Sequence, residues 1–295
     1  MSKSANLGQH PAEPGTVEWT ERHRSVVSAS QIAMLFGVPV YGGRTVSDLW
    51  YEKKYGTVCA SKGNKSTSLG SRLEPVLLDL AEEKFGEIVE RQAWYSRDLI
   101  GATLDGRVSE SGEVIEAKTS GIVGPSKLAE WGEDGSDECP DQYLLQVQAQ
   151  LFVTGAEAAH IVALIGGRGF ATFTVEPQPS LFDAMQSKAE AFIASLSSDV
   201  APTEPPQLET LKRLKRQPHS IVRVPHDLVD EYREVTASAK AADAEKERVQ
   251  RLLLAALGDA EAGDSGDGLW TYYEQSRKGF TVEPSTFRVL RFKKN

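Results

Sequence analysis

The sequence predicts an α/β fold in which helices flank a mixed central sheet, and three observations carry that expectation. Between residues 71 and 196, stretches with apolar residues every three or four positions are interleaved with short stretches that read as strands, either alternating apolar and polar residues or nearly all apolar. These are the patterns of amphipathic helices and of strands in a sheet. The chain has 295 residues, of which 40% are hydrophobic and 25% charged, the balance of a globular protein large enough for one big core or a core with an extension.

Residues 1–18, with Pro11, Pro14 and Gly15, read as a flexible arm, and order is expected from Trp19. A short helix follows over 29–36, capped by Ser28 or Ser30 and closed by Gly37, and a second spans 45–55 and closes at Gly56. After a Lys, Ser and Gly stretch, the pattern predicts a helix over 71–85, strands over 88–95, 100–108 and 113–119, and a helix over 141–154. Strands over 158–165 and 170–176 and a helix over 180–196 complete the core, which spans 19–196. In that last helix Leu181, Met185, Ala189, Phe192 and Leu196 form one buried face. Pro202, Pro205 and Pro206 mark a linker, which with a basic segment occupies 197–225. An extension over 226–295 should hold a long helix over 226–257, whose apolar residues step by four and three with Lys246 as the misfit, then a hairpin of 269–276 with 281–292. That helix is compatible with intramolecular packing or a coiled coil.

Thirty-three basic residues against 42 acidic ones give a net charge of −9. Bulk charge therefore argues against coating nucleic acid or an anionic membrane and leaves room only for a local basic channel. Cys59 and Cys139 are too few for a disulfide framework, a four-cysteine zinc site or an iron–sulfur cluster. Neither a signal-peptide core nor an apolar run of membrane-spanning length is present, so a cytoplasmic protein is expected.

The chemistry concentrates around Ser109–Gly112. With those four residues as the loop of an antiparallel hairpin, Asp105 faces Glu116 and Thr103 faces Lys118, so two carboxylates and a lysine share one face while Leu104, Val108, Ile115 and Ala117 share the other. Opposed Cβ atoms lie about 5 Å apart, and two ionised carboxylates there repel by roughly 3 kcal/mol at an effective dielectric near 20. A hard divalent cation would offset that; a solvated polar face is the competing account. Glu74 sits on the apolar face of Leu77, Leu78 and Ala81, and either needs a buried partner or closes a capping box with Ser71. Gln142, Gln146 and Gln150 form a stripe along the 141–154 helix beside Tyr143.

In order, Arg24–Ser30 (RSVVSAS), Gly70–Pro75 (GSRLEP), Gly101–Arg107 (GATLDGR), Ile115–Ser120 (IEAKTS) and Tyr143–Gly155 (YLLQVQAQLFVTG) resemble the PD-(D/E)XK nuclease superfamily, and within it the YqaJ-type viral recombinases and phage lambda exonuclease. The likeness covers 19–196. It departs from the family at Leu104, where the naming proline would stand, and at Thr119–Ser120, where many relatives have Cys-Pro.

The resemblance implies a restriction-endonuclease-like core and a metal-dependent 5′ to 3′ exonuclease that exposes 3′ single strands on linear duplex DNA. Asp105 and Glu116 would hold Mg²⁺, or Mn²⁺, with the Ala117 carbonyl and Glu74 assisting. Lys118 would position or activate the attacking water, and Gln146 and Tyr143 would orient it, with Gln148 competing for the role of Gln146. Arg24, with Arg22 as its rival, Ser28 and Ser30 would bind the 5′-phosphate. Implied partners are DNA ends, a single-strand annealing protein of the Beta or RecT kind, and further copies of the chain in a ring; the setting would be the cytoplasm of a bacterial host, encoded by a phage or prophage. A structure-specific endonuclease or repair nuclease of the same superfamily and a non-catalytic DNA-end-binding module are the alternatives.

Overall fold

A computed structural model describes residues 6–9, 16–56, 65–121, 128–166, 168–198, 200–214, 219–276 and 279. The chain divides into two units, Met1–Lys215 and Arg216–Asn295.

The first unit opens with β1 (Asn6–Gln9), α1 (Val17–Ser25), β2 (Val27–Ser28), α2 (Ala29–Leu35), α3 (Val46–Tyr55) and α4 (Lys65–Phe85). β3 (Ile88–Val89), β4 (Trp94–Arg97), β5 (Ile100–Thr103), β6 (Gly106–Val108) and β7 (Val114–Ser120) follow. Then come α5 (Asp141–Thr154), β8 (Ala159–Ile165), β9 (Gly169–Val175), α6 (Pro179–Ser197) and α7 (Leu208–Lys212). Two mixed sheets result. The larger has the order β3-β6-β7-β8-β9, with β7 and β8 parallel and the other neighbours antiparallel. The smaller has the order β1-β4-β5-β2, with β2 and β5 parallel.

β1 occupies part of the stretch read as a flexible arm: Asn6–Gln9 pair with β4. The strand expected over 100–108 is broken. β5 joins the smaller sheet and β6 the larger, and Leu104–Asp105 is the crossing point. The expected register survives, since Gly106 lies opposite Ile115 and Arg107 opposite Val114. The expected common apolar face does not, because Leu104 packs in the main core with Val114 while Val108 packs with Ile115 under α4. Gly106 is required at the break, since a Cβ there would collide with the Ile88 side chain.

Helices cover both faces of the larger sheet. Leu77, Leu78 and Ala81 of α4 bury Ile115 and Val162 on one side, while Val147, Leu151, Met185 and Phe192 of α5 and α6 bury Val114, Ile161 and Phe173 on the other. At roughly 25 cal/mol per Å² of apolar surface removed from water, such burial is the main stabilising term.

Residues after 196 are docked instead of forming a free linker. Ser47 Oγ donates to the Glu204 carbonyl at 2.5 Å, and Asp48 Oδ1 accepts from Gln207 N at 2.8 Å and Thr210 Oγ1 at 2.7 Å. The boundary therefore falls near residue 215.

The second unit contains α8 (His226–Leu257), β10 (Ala262–Asp264) and β11 (Leu269–Thr271). The hairpin differs from the expectation: β11 pairs with β10 across the acidic glycine loop, Gly263 opposite Trp270, because Ser265 and Asp267 close that loop with their own side chains. The strand expected over 281–292 lies outside the described residues. Leu228, Tyr232, Val235 and Leu253 on α8 are exposed. Among the described residues no helix is long and apolar enough to cross a membrane.

Candidate functional site

β7 forms the floor of the site. Strand alternation points Val114, Glu116 and Lys118 toward α5 and Ile115 and Ala117 toward α4. Glu116 is only 2% exposed, and a carboxylate so placed needs partners for both oxygens. It has three: Lys118 Nζ and Gln146 Nε2 donate to Oε1, and Gln150 Nε2 donates to Oε2. The glutamine stripe of α5 is therefore no solvated face. Gln142 Oε1 accepts from Tyr41 N at 3.2 Å, and the next two members of the stripe clamp Glu116.

Asp105 reaches the same place from the crossing between the sheets. Its Oδ2 accepts from Ala117 N at 2.8 Å. On β7 the even-numbered residues bond to β8, as Val114 N to Ala158 O and Gly166 N to Ser120 O show, so Ala117 turns its N–H to the opposite edge, and its carbonyl shares that edge. Burial first, and then the Glu116 charge, hold the Asp105 carboxyl well above the usual carboxylate range, against the pull of Lys118 and the Ala117 N–H; Glu74 adds to the upward push. Burial would lower the Lys118 ammonium, but Glu116 and Asp105 outweigh it and hold it above the ordinary lysine value. The Tyr143 ring stands over Lys118, with Nζ 5.2 Å from its centroid.

Glu74 is not a helix-start residue. α4 begins at Lys65, Ser71 lies inside it and donates its hydroxyl to Thr67 O at 3.2 Å, and no capping box forms at Ser71. Glu74 Oε1 instead accepts from Gln92 Nε2 at 2.8 Å. Gln148 is misplaced in the sequence reading: it faces away from the site, donating to Glu176 O at 2.7 Å and accepting from Gln178 N at 2.9 Å, because positions 146 and 148 of a helix lie about 200° apart.

Among the described residues no group of three or more His, Cys, Asp and Glu side chains is drawn together as a ready metal cage. A hard cation does not require one. Mg²⁺ takes one or two carboxylates and completes its shell with water and phosphate oxygens. Asp105, Glu116 and the Ala117 carbonyl would offer an all-oxygen donor set of that kind, and a cation would relieve the burial and the Glu116 charge that push the Asp105 carboxyl up.

A cavity of about 280 Å³ adjoins these residues, lined by Arg24, Ser28, Ser30, Arg44, Lys53 and Gln146 among others. Gln146 is the wall shared with Glu116. Ser28 is the N-cap of α2, its N–H donating to Gln31 Oε1 at 3.1 Å while its buried hydroxyl has no hydrogen-bond partner among the described residues. Ser30 is exposed in the first turn. Arg24 Nε donates to Lys53 O at 3.2 Å at the end of α3, whereas Arg22 pairs with Glu18 at 2.7 Å and lies over Trp94, outside the cavity lining. Arg44 and Lys53 had no distinguishing signal in the sequence. Arg44 pairs with Glu52, and Lys53 donates to the carbonyls of His23 and Val26. Burial pushes the Lys53 ammonium down to about 8, with Glu52 opposing.

A helix with an acid over a mixed sheet, then Asp105 at the crossing between the sheets and the Glu116-Ala117-Lys118 triplet on β7, then a helix with a glutamine on the same carboxylate, is the order that the resemblance to PD-(D/E)XK nucleases leads one to expect. Residues 18–157 match the model of the YqaJ-like viral recombinase domain. Among solved structures the chain is similar to an alkaline exonuclease from Laribacter hongkongensis, with 19% identity, 62% of this chain and 94% of that one covered, and a TM-score of 0.48. It is also similar to a phage-related exonuclease from Haemophilus somnus, with 16% identity, 59% and 96% covered, and a TM-score of 0.46. No curated protein matches the chain significantly in sequence.

Proposed function

We propose that the protein is a divalent-metal-dependent deoxyribonuclease that degrades linear duplex DNA from 5′ ends and leaves 3′ single strands for recombination. The observation that carries this reading is the convergence of Asp105, Glu116 and Lys118 beside Gln146, which bonds Glu116 and also lines a cavity that holds Arg24, Arg44 and Lys53. Phosphodiester hydrolysis needs negative charge neutralised on the phosphate and a nucleophile oriented in line with the leaving oxygen. Asp105, Glu116 and the Ala117 carbonyl would hold Mg²⁺ or Mn²⁺, with Glu74 supporting it. The cation supplies Lewis-acid polarisation of the phosphate and a more acidic water. Lys118, fixed by Glu116 and the Tyr143 ring, donates to the attacking water or to a phosphoryl oxygen as charge develops. Gln146 and Gln150 hold Glu116 in place.

Arg24, Arg44 and Lys53, with Ser28 and Ser30 at the start of α2, form a cationic pocket for the terminal 5′-phosphate, and this favours end-directed over internal cleavage. A chain with a net charge of −9 would still act processively in a ring, since only the channel need be basic, and the product strands suit an annealing protein of the Beta or RecT kind.

The test is digestion of linear duplex DNA, with 5′-phosphate or 5′-hydroxyl ends, and of closed circles, with and without Mg²⁺, beside Lys118→Ala. Metal-dependent release of nucleotides from linear DNA alone, faster with the phosphate and lost in the variant, is the expected result. Cutting of circles would establish an endonuclease instead, and inactivity on every substrate in both metals would leave an end-binding module.

A further inference from the structure

Three residues at the β3–β4 turn each send a side chain to a defined partner. The turn is closed by Ala93 N donating to Glu90 O at 3.1 Å. Glu90 accepts from the Tyr95 hydroxyl, Arg91 pairs with Glu82 at 3.0 Å, and Gln92 donates to Glu74 at 2.8 Å. Gln92 does so from a φ of 62°, in the left-handed region where glycine or asparagine is favoured as the third residue of a turn. A long, unbranched side chain gains nothing there from the backbone. Its amide goes to one of the carboxylates that bear on Asp105. Strain kept at such a position points to a role for the side chain that the backbone does not need.

We propose that Gln92 is a positioning residue that holds the Glu74 carboxylate toward the metal-binding face of the site; this rests on the metal-dependent nuclease reading above. Glu74 is half-buried on α4, and its rotamers are restricted on the side of the turn by this hydrogen bond. The turn does not depend on Gln92 for its own attachment, because Arg91 fastens it to Glu82 of α4. Removing the amide therefore frees Glu74 and leaves the fold in place.

Gln92→Gly separates the two roles, because glycine relaxes the backbone while it deletes the amide. Calorimetric titration of Mn²⁺ into the full-length protein without DNA should show roughly tenfold weaker binding in Gln92→Gly, with the melting temperature equal to or above wild type. Gln92→Asn, which suits the same φ but is one methylene too short to reach, should behave alike. In a Glu74→Ala background, Gln92→Gly should change Mn²⁺ binding by less than about twofold. With DNA, the Mg²⁺ concentration for half-maximal rate should rise while the rate at saturating Mg²⁺ changes little. Equal Mn²⁺ affinity in wild type and Gln92→Gly, or the same loss with and without Glu74, overturns the inference. Wild-type protein that binds no Mn²⁺ instead overturns the metal-dependent reading on which it stands.

Discussion

Asp105→Asn should make the metal-free protein more stable while abolishing its metal response. Asparagine keeps the shape of the side chain, and its carbonyl oxygen can still accept the Ala117 N–H that Asp105 accepts at 2.8 Å. What disappears is a negative charge whose surroundings disfavour it: burial and Glu116 together outweigh Lys118 and the backbone donor. Burial disfavours that charge first and Glu116 second, while Lys118 and the Ala117 N–H return part of the cost, so a net gain on the order of 1–2 kcal/mol is expected. For a unit of this size the melting temperature should rise by ~2–8 °C. The sign with pH is fixed by the direction of the shift. A carboxyl raised in the folded state binds its proton there at pH values where the unfolded chain has lost it, so wild-type stability falls as pH rises through that window and stays lower above it. The advantage of the variant in EDTA should thus be larger at neutral pH than in acid and shrink toward the ordinary carboxylate pKa. Scanning calorimetry at both pH values, repeated with Mg²⁺, is the assay; Mg²⁺ should raise the wild-type transition by mass action and leave the variant where it was. A variant that melts below wild type in EDTA at neutral pH, or whose advantage does not shrink in acid, would refute the view that these carboxylates are held together at a cost.

Gln150→Met removes a charge-assisted hydrogen bond to Glu116 and also a buried Oε1 that has no hydrogen-bond partner among the described residues, two changes of about 1–3 kcal/mol in opposite directions. Stability should move by less than about 1 kcal/mol while kcat falls on the order of tenfold, as Glu116 loses one of its three donors; a large loss of stability with normal kcat would contradict this. Lys53 is charged below about pH 8 in the fold and below 10.5 when free, so its burial costs ~3 kcal/mol that is present at neutral pH and relieved as pH rises between those values. Denaturation of wild type against Lys53→Met from pH 7 to 10.5 should show wild type gaining by about that amount, and a pH-independent difference would count against it. Arg44→Ala should lower kcat/KM by roughly tenfold on 5′-phosphorylated ends and little on 5′-hydroxyl ends, measured on otherwise identical duplexes. In a Cys59→Ser background, a thiol reagent should label the protein only after unfolding, because burial pushes the Cys139 thiol up to about 12 and shields it.

The parts of this molecule legible in the sequence are those fixed by local period and by a single hairpin. Gly106 opposite Ile115 follows from counting outward from Ser109–Gly112, and that count is enough to bring Asp105 beside Glu116. Helices such as 141–154 and 226–257 are legible in their apolar steps. What the count could not show is that the strand stops at Leu104. Period two continues through Ala102, Leu104 and Gly106, yet the backbone leaves one sheet for the other there, since Gly106 has no side chain to resist Ile88 and Leu104 is drawn into the core beside Val114. That break is what sets Asp105 against the free edge of β7. On a continuous strand its carboxylate would have stood beside a backbone already paired with β7, whereas at the crossing it accepts the Ala117 N–H itself. The glutamines repeat the lesson on a helix. Spacing put Gln146 and Gln150 on one face, but only the buried Glu116 opposite them decides that the face is a clamp instead of a wet surface. Lys53 and Gln92 had no pattern to reveal them, because the first bonds across a contact between segments distant in sequence and the second reaches out from a turn whose φ no periodicity records.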